Sequence, residues 1–128
     1  MKHLVIDQTK STPSIHFNNE NNILSITGNS YPENTAKFYA PVFSWLEDFL
    51  LTTGGEAVTA ELEINYFNSS SSKVFMDFFD RLENVAAQGC SVTINWRYHE
   101  ENDMAAEYGE EFQEELCKVD FNLIAFSD

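Results

Sequence analysis

The chain has 128 residues, of which 43% are apolar, including 11 Phe, 5 Tyr and 2 Trp. That length fits one domain with one core, and it argues against disorder along the whole chain. Twenty-one acidic residues against 7 Lys and Arg give a formal charge of −14. That excess disfavours nucleic acid and the anionic inner membrane surface as partners.

No apolar run approaches the roughly 20 residues of a spanning helix. The first ten residues hold only Leu4-Val5-Ile6 as an apolar run, too short for a signal sequence. A soluble, cytoplasmic protein is expected. Cys90 and Cys117 form no C-x-x-C pair and predict reduced, partly buried thiols, not a disulfide framework.

In chain order, the Asn-rich stretch Asn18 to Asn22 predicts a turn between a strand closing at His16 and Phe17 and another over Ile23 to Thr27. Gly28-Asn29 is expected to break the second strand. A helix is predicted from about Thr35 to Leu50, with Phe38, Val42, Trp45, Leu46 and Phe49 inward. Pro41 inside it should kink the helix or mark a fresh start.

From Val58, the residues Val58, Ala60, Leu62, Ile64 and Tyr66 alternate with Thr59, Glu61, Glu63 and Asn65. Period-2 alternation marks a strand buried on one face. Val74, Phe75, Phe78, Phe79, Leu82, Val85 and Ala86 then fall on one helical face, with Lys73, Asp77, Asp80, Arg81 and Asn84 opposite. Val92, Ile94, Trp96 and Tyr98 repeat the strand alternation. Strand, helix and strand in succession predict a right-handed crossover between parallel strands.

A third helix is predicted from about Glu101 to Cys117, with Ala105, Tyr108, Phe112 and Leu116 inward. Gly109 should weaken it by ~1 kcal/mol relative to Ala. Val119, Phe121, Leu123 and Ala125 alternate in a last strand. The expected architecture is an α/β sandwich, a mixed sheet of five or six strands with three helices on one face, forming a single domain over residues 1–128. Its other face, with Glu61, Glu63, Asn95 and Arg97, is left for water or a partner.

Catalytic patterns are scarce. His3, His16 and His99 have no metal-ligand spacing. The run from His99 to Asp103 lacks the glycine and alternating carboxylates of a calcium loop. It fits a solvated helix start, where acids favour the positive end of the dipole. Glycine-rich phosphate loops and nucleophile elbows are absent from the sequence.

One segment stands apart: Tyr66-Phe67-Asn68-Ser69-Ser70-Ser71-Ser72-Lys73, at a strand-to-helix bend. One Asn or Ser suffices to cap a helix, and the polar run from Asn68 to Ser72 exceeds that need. A phosphate on a hydroxyl here would meet free N–H groups and a positive dipole, with Lys73 in reach. A protein docked over the bend would instead have to accommodate a charge of about −1.5 to −2. Local physics alone leaves plain capping and a phosphoserine switch both open.

The bend, together with Ser11-Thr12-Pro13, Ser30-Tyr31-Pro32-Glu33-Asn34, Phe38-Tyr39, Pro41 and Trp45-Leu46 in this order, resembles the SiaC family of bacterial regulatory phosphoproteins. That family is similar in fold to STAS-domain anti-sigma-factor antagonists. The resemblance implies a non-enzymatic switch without cofactor or metal, phosphorylated by a serine/threonine protein kinase and dephosphorylated by a PP2C-type phosphatase. The unmodified form would bind and activate an effector, typically a diguanylate cyclase.

The family's acceptor follows the Asn of the bend and is usually Thr. Here it is Ser69, with Ser70 and Ser71 as competing hydroxyls. The expected docking surface comprises Asn68, Ser69, Ser70, Lys73, Met76, Asp77 and Asp80. Three other readings stand beside this one: a STAS-type antagonist controlling transcription, a cation-dependent enzyme using His99 and nearby acids, and an adaptor using the polar sheet face.

Overall fold

The computed structural model describes residues 2–128. Along the chain run β1 (Leu4–Ile6), β2 (Ser14–Asn18), β3 (Ile23–Ser30), α1 (Thr35–Thr52), β4 (Val58–Phe67), α2 (Ser69–Ala87), β5 (Val92–His99), α3 (Asp103–Glu115) and β6 (Asp120–Phe126). The six strands form one sheet in the order β1-β2-β3-β4-β5-β6. The pairs β1–β2 and β2–β3 are antiparallel, and β3 through β6 are mutually parallel. Three successive crossovers step the same way across the sheet, so right-handedness puts α1, α2 and α3 on one face. The mixed sheet with three helices on one side is the expected architecture.

The alternation of each strand decides which residues that face buries. Ile15, Phe17, Leu24, Ile26, Ala60, Leu62, Ile94 and Trp96 are buried beneath the helices. The helices answer with Val42, Leu46 and Phe49 of α1, Phe75, Phe78, Phe79 and Leu82 of α2, and Ala105 and Phe112 of α3. Trp96 is the hub: its ring meets Phe67, Phe75, Phe79 and Phe112 edge-on. Its indole N–H donates to the Ala105 carbonyl at 2.9 Å, so the buried donor is satisfied.

On the opposite face a polar ladder crosses three strands. Asn122 Nδ2 donates to Asn95 Oδ1 at 3.0 Å, and Asn95 Nδ2 donates to Glu61 Oε1 at 2.8 Å. Beside it Arg97 lies 3.5 Å from Glu63.

Several elements depart from the sequence expectation. β3 does not stop at Gly28 but continues to Ser30 through a register shift, in which Gly28 faces Ile64 and Asn29 faces Tyr66. Asn65 is therefore an extra residue in β4, a bulge. Gly28 has φ +125°, a backbone conformation that strains any side chain and so favours glycine. The bulge resets the alternation: Tyr66, expected inward, is 48% exposed, and Phe67 takes the core position instead.

α1 runs unbroken through Pro41, which is exposed on the outer side of the helix. Within α1, Phe38 and Trp45 are only partly buried, and Tyr39 is buried in their place. α3 starts later and ends sooner than expected, because Asn102 caps it and accepts the Ala105 N–H at 3.1 Å.

Candidate functional site

Phe67 anchors the end of β4 in the core, and the chain turns at Asn68 to enter α2. Asn68 is the N-cap: its side-chain oxygen accepts the Ser71 N–H at 2.9 Å, and its carbonyl accepts the Ser72 N–H at 3.0 Å. The capping half of the sequence reading therefore belongs to Asn68. The first-turn N–H groups of Ser69 and Ser70 lie ahead of the first intrahelical bonds and point along the axis at the positive end of the dipole.

The four serines have different surroundings. Ser69 and Ser70 are exposed. Ser72 is half-buried, and its hydroxyl donates back to the Ser69 carbonyl at 2.7 Å. Ser71 is 0% exposed, with its hydroxyl 2.8 Å from that of Ser30. Ser30 is in turn 2.6 Å from the Tyr39 hydroxyl. Burial pushes the Tyr39 phenol up to about 12, against a smaller lowering by its bond to Ser30. Ser71 is thus corrected out of the set of accessible acceptors: inward rotation of the first turn places it against β3 and α1.

Ser69, Lys73, Met76, Asp77 and Asp80 recur at spacings that put them on one stripe of α2. Lys73, Asp77 and Asp80 are exposed, whereas Met76 is half-buried against the core. Asn68 is half-buried and committed to its cap. Asp77 also faces Arg81 at 3.5 Å, and Arg81 donates to Glu47 of α1 at 2.6 Å. Burial, and then the negative charges of Asp77, Glu115 and Glu83, hold the Asp80 carboxyl above its usual range. The expected surface is therefore a helix stripe that begins at the two exposed serines and carries one cation, Lys73, and two carboxylates, Asp77 and Asp80.

Tyr66 and Tyr31 lie outside the expected docking residues, yet they border this surface. Their rings meet edge-on at 5.6 Å beside the bend. The sequence marks this with two consecutive aromatics, Tyr66-Phe67, which cannot both face inward on a regular strand. Asn102 Nδ2 donates to the Asn65 carbonyl at 2.9 Å and ties the start of α3 to the same strand end.

The other candidate chemistry does not assemble. His99 Nδ1 accepts the Glu101 N–H at 3.1 Å, and its Nε2 lies 3.3 Å from Asp128. Among the described residues there is no group of three or more His, Cys, Asp or Glu able to hold a metal ion. Both cysteines are free; Cys90 is half-buried, but Cys117 is exposed, contrary to expectation. Burial raises the Cys90 thiol, while the hydrogen bond and charge of Glu83 raise that of Cys117, so neither favours the thiolate. Among the described residues no helix is long and apolar enough to cross a membrane.

Comparison with known proteins adds to this geometry. Residues 6–126 match the family model described as SiaC family regulatory phosphoprotein. An uncharacterized protein of Pseudomonas aeruginosa (strain UCBPP-PA14) is 37% identical over 128 residues, covering 100% of both chains. The crystal structure of apo-SiaC from Pseudomonas aeruginosa is similar with a TM-score of 0.84 and 35% identity, covering 98% of each chain. A second similar structure is that of the diguanylate cyclase SiaD in complex with its activator SiaC from the same organism. It gives a TM-score of 0.86 and 35% identity over 98% of this chain and 99% of that one.

Proposed function

Because the chain belongs to the SiaC family of regulatory phosphoproteins, we propose that it is a cytoplasmic, non-enzymatic switch that binds and activates a diguanylate cyclase while Ser69 is unmodified. A protein kinase phosphorylates Ser69, and a PP2C-type phosphatase restores the hydroxyl. The relative from Pseudomonas aeruginosa is the activator in a complex with such a cyclase, which supports the class of effector.

The observation that carries the reading is the exposed hydroxyl of Ser69 at the first position of α2. A phosphate there sits at the positive end of the helix dipole and one turn from Lys73. Within the domain this contributes only ~0.3–1 kcal/mol of stabilisation, so the fold tolerates the modification. Trapped against a docked effector, the same charge is desolvated without a partner, at a cost of ~2–5 kcal/mol. The interface loss dominates, and release follows with an affinity drop of about 30- to 4000-fold.

Calorimetric titration of a diguanylate cyclase effector with wild type, Ser69→Ala and Ser69→Asp tests this. Ser69→Ala should bind like the unmodified protein and stop responding to the kinase. Ser69→Asp should bind at least about tenfold more weakly, at the low end because Asp carries less charge than phosphate. Equal affinity for the cyclase in all three would overturn the reading.

A further inference from the structure

We propose that Ser30, backed by Tyr39, is the positioning residue of the bend: it grips the turn from Asn68 to Ser71 at both ends and thereby decides which serines face outward. The Ser30 carbonyl accepts the Asn68 N–H at 3.1 Å. The Ser30 hydroxyl bonds that of Ser71 at 2.8 Å. Between these two grips lie only Ser69 and Ser70, which bow outward to solvent. Tyr39 of α1 then closes on the Ser30 hydroxyl from behind.

Capping does not explain this arrangement. Asn68 already caps α2 and takes the Ser71 N–H. Ser30 and Ser71 are 0% exposed and Tyr39 is 2% exposed, in a place where alanine or phenylalanine would fill space without desolvating a hydroxyl. Buried hydroxyls are tolerated when they satisfy one another, and a satisfied network favours one arrangement over its neighbours. The arrangement selected here joins the end of β3, the N-terminal part of α1 and the first turn of α2. It retracts Ser71 and advances Ser69. The selection of the acceptor rests on the phosphoswitch reading above; the grip itself does not.

Amide hydrogen exchange on the full unmodified chain reads the grip directly. Ser30→Ala keeps the carbonyl and removes the hydroxyl, whereas Tyr39→Phe keeps the ring and leaves Ser30 paired with Ser71. In Ser30→Ala the amides of Ser71 and Ser72 should exchange about tenfold faster, while those of β5 keep their wild-type protection. Tyr39→Phe should give a smaller acceleration at the same amides. Wild-type exchange at the first turn in both variants overturns the grip.

Phosphopeptide mapping of protein from the native host reads the selection. Wild type should carry phosphate on Ser69, and Ser30→Ala should spread it to Ser71, with a smaller spread in Tyr39→Phe, which leaves the Ser30–Ser71 bond in place. An unchanged site pattern in Ser30→Ala overturns the selection. Faster first-turn exchange with no phosphate on the bend in any variant supports the grip but overturns the phosphoswitch. Should Ser30→Ala fail to fold, Tyr39→Phe carries both measurements.

Discussion

A Cβ on residue 109 would come within 2.6 Å of Trp96 Cδ1 and 2.7 Å of Leu123 Cδ2, so helix propensity and packing pull in opposite directions at that position. Propensity favours alanine by ~1 kcal/mol. Overpacking a filled core costs ~1–3 kcal/mol, and the Trp96 indole cannot swing away without giving up its bond to the Ala105 carbonyl. Gly109→Ala should therefore lose ~1–2 kcal/mol in urea unfolding despite the better helix former. An unchanged or raised midpoint would mean that Trp96 has slack. From sequence Gly109 registers only as a weak point in α3, because its reason lies on β5 and β6. Ser71 is the parallel case: its partner Ser30 is 41 positions away, and a serine in a polar tract carries no local mark of burial.

Among the elements, those with one face buried are legible from their period. β4, β5 and α2 sit where their apolar alternation or helical spacing places them, because one buried face fixes register. The bulge is not legible from β4 alone. It needs Gly28 on the neighbouring strand, and it turns Tyr66 outward next to the bend. The connection after α3 is likewise invisible locally. Its backbone N–H groups at Cys117, Lys118 and Val119 all donate to the Glu83 carboxylate of α2, at 2.7, 2.7 and 3.0 Å. Burial alone would raise this carboxyl, but the three backbone bonds, with the Cys117 thiol, outweigh it and hold it below its ordinary 4.5.

A folded value below the unfolded one gives a contribution that is complete above the unfolded value. It is lost as pH falls through the folded value. Glu83→Gln should cost ~1–2 kcal/mol at neutral pH, and the gap to wild type should close on acidification below about pH 4. Urea midpoints of the two proteins between pH 7 and pH 3 check this; a gap that stays constant would remove the carboxylate from the account.

For the whole molecule, 21 acidic against 7 basic residues set the sign of the salt response. The ion pairs Arg81–Glu47 and Arg97–Glu63 involve substantially exposed side chains. Such pairs are worth ~0–1 kcal/mol each, so screening them costs little. Repulsion is spread more widely: Asp77, Glu83 and Glu115 all act on Asp80, and Glu107, Glu110, Glu111 and Glu114 add an exposed acidic run on α3. Salt removes more repulsion than attraction here, because the ion pairs are close contacts whereas the acidic excess repels over longer distances, which screening weakens most as the Debye length shrinks from about 30 Å at 0.01 M. Thermal stability should therefore rise by a few degrees as ionic strength increases from about 0.01 M to 0.5 M. Asp80→Asn should start higher and rise less, since it removes one member of the repelling set. A melting temperature that falls with salt would mean that the few ion pairs outweigh the acidic excess. In that case the net charge of −14 contributes little net repulsion, and a phosphate on Ser69 would need no special setting to be tolerated. The measurement thus bears on the switch as well as on the fold: a domain relieved by salt can accept a new dianion only where local N–H groups and Lys73 offset it, which is at the bend.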